Sequence, residues 1–369
     1  MRVPDLLSQP SRFAFWSARA RAAVLALVGA LMIWGLVAPG APPRAAAPDP
    51  RAAPGAGHVP PVGNDVLLYQ AMAGQVRQGA DYYAATARLL RERDYPLRPF
   101  VTFRLPGLSW LLATLPHGVM VALMALLVGA VILAWTVRLA PALRTPQATS
   151  WASLLIMMNC LTAFSPRLIV FHEGWAALLV ALSLALWRPD RWLPSALLAL
   201  AAVLTRELAL PFVLLMGGLA LLGRRWREAT GWAFVALLFA VALAFHARAV
   251  WAVTSLADPA SPGWTSAGGW PFVTAAVQQA TLFNLLPVAV TPVLLPLALL
   301  GWAAWASPTG TRAFLFIAGF AAAMMIFGRP DNFYWAVMIT PLLFAGLIFA
   351  PAALRDLVAS PGAPRTRTA

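Results

Sequence analysis

The stretch LPSALLALAAVLTRELALPFVLLMGGLALLG, residues 193–223, decides the fold. It is apolar throughout, except that Thr205, Arg206 and Glu207 sit at its middle. A helix crosses a bilayer in about 20 residues, so the stretch is long for one span. It reads as two short spans that meet at the polar residues. Polar groups inside an apolar span are costly and usually face a cavity.

Similar runs recur on both sides. With the split pair they give ten predicted spans, at about 21–39, 107–137, 149–164, 174–187, 193–223 (two), 229–247, 281–305, 313–327 and 334–352. The second is entered by a shallow piece, PGLSWLLATL. The runs are continuous rather than alternating, so the spans are helices and not strands of a barrel. Residues are 61% hydrophobic and 11% charged, which excludes an ordinary soluble domain. The expected fold class is an all-α polytopic membrane protein with a long first outer loop.

Charge orients the spans. There is no Lys, so all 27 basic residues are Arg. With the N-terminus inside, fifteen fall in inner segments and four (Arg167, Arg206, Arg248, Arg329) in short outer ones. The other eight lie in 40–105, a segment long enough to escape the positive-inside rule. Residues 1–20 are then a cytoplasmic N-terminus and 21–39 the first transmembrane helix. Residues 40–105 form an outer loop, 106–352 the bundle and 353–369 a cytoplasmic tail. The net charge of +14 becomes a topology signal facing anionic lipid. It is not a nucleic-acid signal, because no basic, aromatic-interleaved domain stands apart from the membrane. Cys160 is the sole cysteine, which excludes a disulfide framework and a cysteine metal site. The apolar run 22–38 exceeds the usual signal-peptide core, so a retained anchor is expected. Residues 39–61 read as a Pro/Ala-rich linker.

Several outer polar residues sit beside apolar spans: FHEGWAALL (172–179), LTRELALPF (204–212), AFHARAVW (244–251) and FGRPDNFYW (327–335). Span ends that all do this on one side predict a single outward-facing polar site; interfacial anchoring by Trp and Arg is the plainer alternative. Within the outer loop, GNDVLLYQAMAGQVRQGADYY (63–83) has apolar residues near helical spacing after Asp65. Asn64 and Asp65 suit a helix start, so Asp65 also reads as an ordinary N-cap. A second amphipathic segment follows at 82–90, and both helices are expected on the membrane surface.

The order of these features resembles integral-membrane C-type glycosyltransferases, nearest to the protein mannosyltransferase and aminoarabinose transferase superfamily. The likeness rests on NDVLLYQAMAGQVRQ after the first span, then GADYY, then RPFVTFRLPGLSWLLA entering the second. That superfamily has an Asp-Glu pair where this chain has Asp65 followed by Val66. It has a Lys-Pro-Pro entry where this chain has Arg104, Leu105 and Pro106. No large soluble domain follows the last span. The resemblance implies sugar transfer from a polyprenyl-phosphate carrier on the outer face of a bacterial inner membrane, to a lipid, glycan or protein acceptor. It implies Asp65 as catalytic base.

The residues fit those demands. An acceptor hydroxyl needs a base close by, and attack opposite the leaving group inverts the anomeric centre. The leaving phosphate needs no acid but does need cationic or hydrogen-bond support, which arginine supplies in bidentate form. Arg329 and Arg206 rank first for this, then Arg104. Asp81, Tyr82 and Tyr83 are expected at a sugar subsite, or else in an aromatic belt. Glu173 and Asp331 complete the substrate-binding set. Adjacent His172 and Glu173 do not make a metal site, and no cofactor is expected. Glu207 beside Arg206 is a candidate intramembrane ion pair. The expected partners are the lipid-linked donor and membrane lipids. A transporter for a lipid-linked or anionic substrate and a non-catalytic scaffold are the competing readings. A transporter would expose polar groups on both sides.

Overall fold

The computed structural model describes residues 6–38, 62–163 and 168–359. The predicted linker 39–61 and Arg167 lie outside them. Among the described residues the regular elements are all helices, with two isolated β-bridges and no strand. In chain order the α-helices are α1 (Ala18–Val37), α2 (Val62–Arg77), α3 (Tyr82–Glu92), α4 (Gly107–Thr114), α5 (His117–Leu139), α6 (Pro146–Ala163), α7 (His172–Leu186), α8 (Leu193–Thr205), α9 (Leu210–Leu222), α10 (Trp226–Val253), α11 (Gly269–Ala280), α12 (Val290–Ala304), α13 (Pro308–Phe327), α14 (Thr340–Leu343) and α15 (Ala350–Val358).

Four of these, α1, α5, α10 and α13, are long and apolar enough to cross a membrane. The pair Pro330–Met338 and Thr340–Ile348, bent by 54°, makes a fifth if taken as one span. The protein is therefore a multi-pass membrane protein by its helices, and the count of ten spans goes beyond what they establish. For the short apolar helices the reason is length. Helix α8 has 13 residues, which rise about 20 Å, against about 30 Å of hydrocarbon.

The stretch 193–223 is broken. Helix α8 stops at Thr205, and Arg206 is extended at φ −149° and ψ 119°. A 3-10 turn, Glu207–Ala209, leads into α9. Pro211 explains this. It has no N–H for the carbonyl of Glu207, and its ring clashes there, so one helix cannot run through. Pro211 is tolerated only in the first turn of a new one.

Helix α3 buries Tyr82, Ala85, Thr86, Leu89 and Leu90. That is a helical stripe, and it packs on α2 and α10 rather than being left for a membrane surface. Helix α11 has no counterpart among the predicted spans. Its buried Trp270, Val273, Thr274 and Val277 also follow helical spacing, and it packs against α13 and the segment Pro330–Met338.

The loops assigned inside by charge meet at one end of the bundle. Ser8 donates to the carbonyl of Ala142 and Arg144 donates to that of Leu6, both at 3.0 Å. Arg12 reaches Trp305 and Thr311, Arg21 reaches Ala359, and Arg138 reaches Trp187 and Thr309. Arg312 lies 3.5 Å over the Trp187 ring, whose N–H donates to Glu228. The other end is formed by α2, α3, the segment 95–106, the break at Arg206, the loop 255–268 and the residues after α13.

Candidate functional site

A cavity of about 870 Å³ opens among those segments. Of the predicted site residues, Asp65, Arg104, Arg206, Arg329 and Asp331 line it. They come from four places far apart in sequence, Arg329 and Asp331 sharing one. Glu207, Tyr69, Tyr95, Trp264, Tyr334 and Trp335 line it with them.

Asp65 stands in the first turn of α2, which begins at Val62, so it is not the cap residue. Its Oδ1 accepts a hydrogen bond from the Tyr95 hydroxyl at 2.5 Å. Burial raises its pKa to about 6, although the Tyr95 bond and the Arg104 charge both lower it. Desolvation of the charged form outweighs its partners.

The three arginines differ in how fully they are paired. Arg206 is buried in the break, its side chain 2% exposed. Its Nε donates to Glu173 Oε1 at 2.6 Å, and Nη1 pairs with Glu207. Arg329 forks onto Asp331 at 3.1 and 2.8 Å and donates to the carbonyl of Pro262 at 2.7 Å. Arg104 gives only its Nε to the Tyr69 hydroxyl, at 3.2 Å. Its terminal nitrogens come no nearer a described carboxylate than 3.9 Å, at Glu207. Arg104, ranked last from sequence, therefore has the most open fork. The signal was present: TRE and RPD place an acid beside Arg206 and Arg329, while FRLP places none beside Arg104.

Other predicted residues stand elsewhere. Glu173 is behind Arg206, buried, and does not line the cavity. His172 is buried with its ring 5.3 Å from that of Tyr69. Asp81 caps α3 by accepting from the Ala84 N–H at 2.9 Å. The Tyr82 hydroxyl donates to the carbonyl of Arg104 at 2.7 Å, and the Tyr83 hydroxyl meets His246 Nδ1 at 3.2 Å. None of these three lines the cavity. The expected sugar subsite at Asp81–Tyr83 is corrected accordingly: α3 points those groups at backbone and at α10.

One wall is held from both sides. Arg91 clamps Asp258 with two 2.8 Å bonds, and Arg98 donates to the Asp258 carbonyl at 2.9 Å. The Arg91 guanidinium holds the Asp258 carboxyl at about 2. Beyond this anchor, Ser261, Pro262, Trp264 and Ser266 line the cavity. Sequence reading passed over Trp264, which sits in a Pro/Gly/Ser-rich loop with no periodicity. Tyr334 and Trp335 were visible in FGRPDNFYW. Among the described residues no group of three or more His, Cys, Asp and Glu is arranged to hold a metal.

The chain matches no protein-family model, no curated protein and no solved structure. The site therefore speaks through its own chemistry. One carboxylate poised near neutrality, one open guanidinium and two charge-balanced ones share an aromatic-walled chamber beside apolar helices.

Proposed function

We propose that this protein is an inverting membrane glycosyltransferase that takes its sugar from a polyprenyl-phosphate carrier. In this reading the four short apolar helices and α6 also span, giving ten spans with the five above, the arginine-rich end is cytoplasmic, and the cavity faces outward. The observation that supports it is the meeting of Asp65 and Arg104 in one cavity beside apolar helices. Asp65 takes the proton of an acceptor hydroxyl as that oxygen bonds to the anomeric carbon. The bond from that carbon to the carrier phosphate breaks, and its electron pair leaves with the phosphate. Arg104 neutralises that charge through its unengaged fork, where a bidentate arginine is strongest. A base with a pKa near 6 is ionised yet still basic at neutral pH, the condition general-base catalysis requires.

The test is Asp65→Asn, with glycosylated envelope product measured in cells that make normal amounts of the protein. Loss of the base is expected to cut transfer about 100-fold or more. In the wild type, transfer is expected to fall as pH drops through about 6, where Asp65 gains its proton. Unchanged product from the Asn variant would remove the catalytic reading.

A further inference from the structure

Resting on the transferase reading, we infer that Tyr82, Tyr83 and His246 are positioning residues that aim Arg104 at the carrier phosphate. The two peptide planes on either side of the Arg104 Cα are each pinned by a separate side chain. The carbonyl of Arg104 accepts from the Tyr82 hydroxyl at 2.7 Å. The carbonyl of Phe103 meets His246 Nε2 at 3.3 Å. A carbonyl can only accept, so Nε2 holds the proton of the neutral ring. Nδ1 is then free to accept from the Tyr83 hydroxyl, 3.2 Å away.

Fixing both planes fixes the direction of the Arg104 Cβ, and hence where its side chain starts. The Tyr69 hydroxyl then holds Nε and leaves the fork open to the cavity. Tyr82 is buried, and its ring stands edge-on to that of Tyr83 at 5.1 Å. Asp81 caps the same helix from the residue before. The Asp-Tyr-Tyr run is thus one device. A cap starts α3, and the next two hydroxyls fix the backbone that carries the arginine. His246 comes from α10, so the bracket ties the outer segment to the bundle at the point where the site needs rigidity.

The experiment uses the full chain in lipid nanodiscs. Binding of a polyprenyl phosphate is measured beside that of the matching uncharged polyprenol. The wild type is expected to prefer the phosphate, and Arg104→Ala to erase the preference. Tyr82→Phe deletes one hydroxyl and is expected to weaken phosphate binding about fivefold, the worth of one hydrogen bond, with polyprenol binding unmoved. His246→Leu should do the same. His246→Gln should recover most of the loss, because its amide N–H can donate to Phe103. In an Arg104→Ala background, Tyr82→Phe should have no further effect, because the two act through one contact.

If the wild type discriminates and Arg104→Ala erases this, while Tyr82→Phe and His246→Leu leave it intact, the positioning role is wrong and the transferase reading stands. It is equally wrong if the two variants weaken phosphate and polyprenol alike. If the wild type does not tell phosphate from polyprenol, the transferase reading itself falls and the positioning role falls with it.

Discussion

Arginine works at both ends of this bundle, and its partners differ. At the arginine-rich end, Arg12 donates to the carbonyl of Trp305, Arg21 to that of Ala359 and Arg138 to that of Trp187. Each of these carbonyls belongs to the residue that closes a helix: α12, α15 and α7. A cation at a helix C-terminus satisfies an orphan acceptor and meets the negative end of the dipole. At the cavity end, Arg206 and Arg329 instead meet carboxylates closely, and Arg104 lines the cavity with its nearest described carboxylate 3.9 Å away at Glu207. The same residue type closes the fold in one place and builds a site in the other. Carboxylate partners also occur at the arginine-rich end, where Arg225 meets Glu228 at 2.8 Å and Arg355 meets Asp356 at 3.0 Å, so what sets Arg104 apart is its weakly paired fork on the cavity. Arg77 shows that position alone does not set an arginine apart: it lies toward the cavity end, yet it donates to the backbone carbonyls of Leu112 and Ala113 at the end of α4. Arg91 does both, bonding the carbonyl of Val253 and the carboxylate of Asp258.

The comparison breaks most visibly at Glu173. With both side chains 2% exposed, removing the acid leaves Arg206 leaning on Glu207 alone. Glu173→Ala is expected to cost about 3–5 kcal/mol of stability, read as a large fall in melting temperature in detergent. The pair Glu173→Leu with Arg206→Met is expected to regain most of that, since apolar groups of similar size often replace a buried ion pair without loss. It should still lack activity. A double variant as unstable as the single one would mean the pair is kept for folding and not for the site.

Asp65 sharpens the comparison next. Its pKa is raised from 3.8 to about 6, so the native state keeps a proton the unfolded chain has already released. This contribution to stability is complete below about pH 3.8 and gone above about pH 6. At neutral pH the ionised group is therefore a burden. Asp65→Asn is expected to stabilise the protein by roughly 2 kcal/mol at pH 7.5, allowing for partial exposure, with the gain shrinking as pH falls toward 4. Melting curves of both proteins across that range check it. A gain that does not change with pH would place its cause outside the ionisation of Asp65.

Much of this was legible in the sequence, and the exceptions have physical causes. The break at Arg206 was legible because three polar residues interrupt an apolar run too long for one span. The arginine-rich end was legible because charge bias is a local count. Helix α11 was hidden: Thr274, Gln278 and Gln279 lower its hydropathy, and it packs against protein, so it never needed an unbroken apolar run. Span ends sharing one side led to the expectation that Arg206, Arg329, Asp331 and Glu173 meet; the first three line the cavity and Glu173 stands behind Arg206. The bracket around Arg104 was not, because Tyr82 and Phe103 are 21 positions apart and His246 lies on a distant helix. A hydroxyl bonded to a backbone carbonyl leaves no mark in side-chain chemistry, so the tyrosines read as sugar-lining groups.

The smallest effect is expected at the arginine-rich end. Arg138 gives one bond to the carbonyl of Trp187 at 2.5 Å and one to Thr309 at 2.6 Å. Losing a cap of this kind costs about 1–2 kcal/mol. Arg138→Ala should therefore lower the melting temperature modestly and leave binding of a polyprenyl phosphate unchanged. Arg104→Ala should act mainly on binding. It removes a fork whose nearest described carboxylate is 3.9 Å away and one bond to Tyr69, so stability should fall no more than with Arg138→Ala while phosphate binding falls sharply. The two variants together should show independent effects, since their partners share no residue. If Arg138→Ala also weakened phosphate binding in proportion to its loss of stability, the separation between closing arginines and site arginines would not hold.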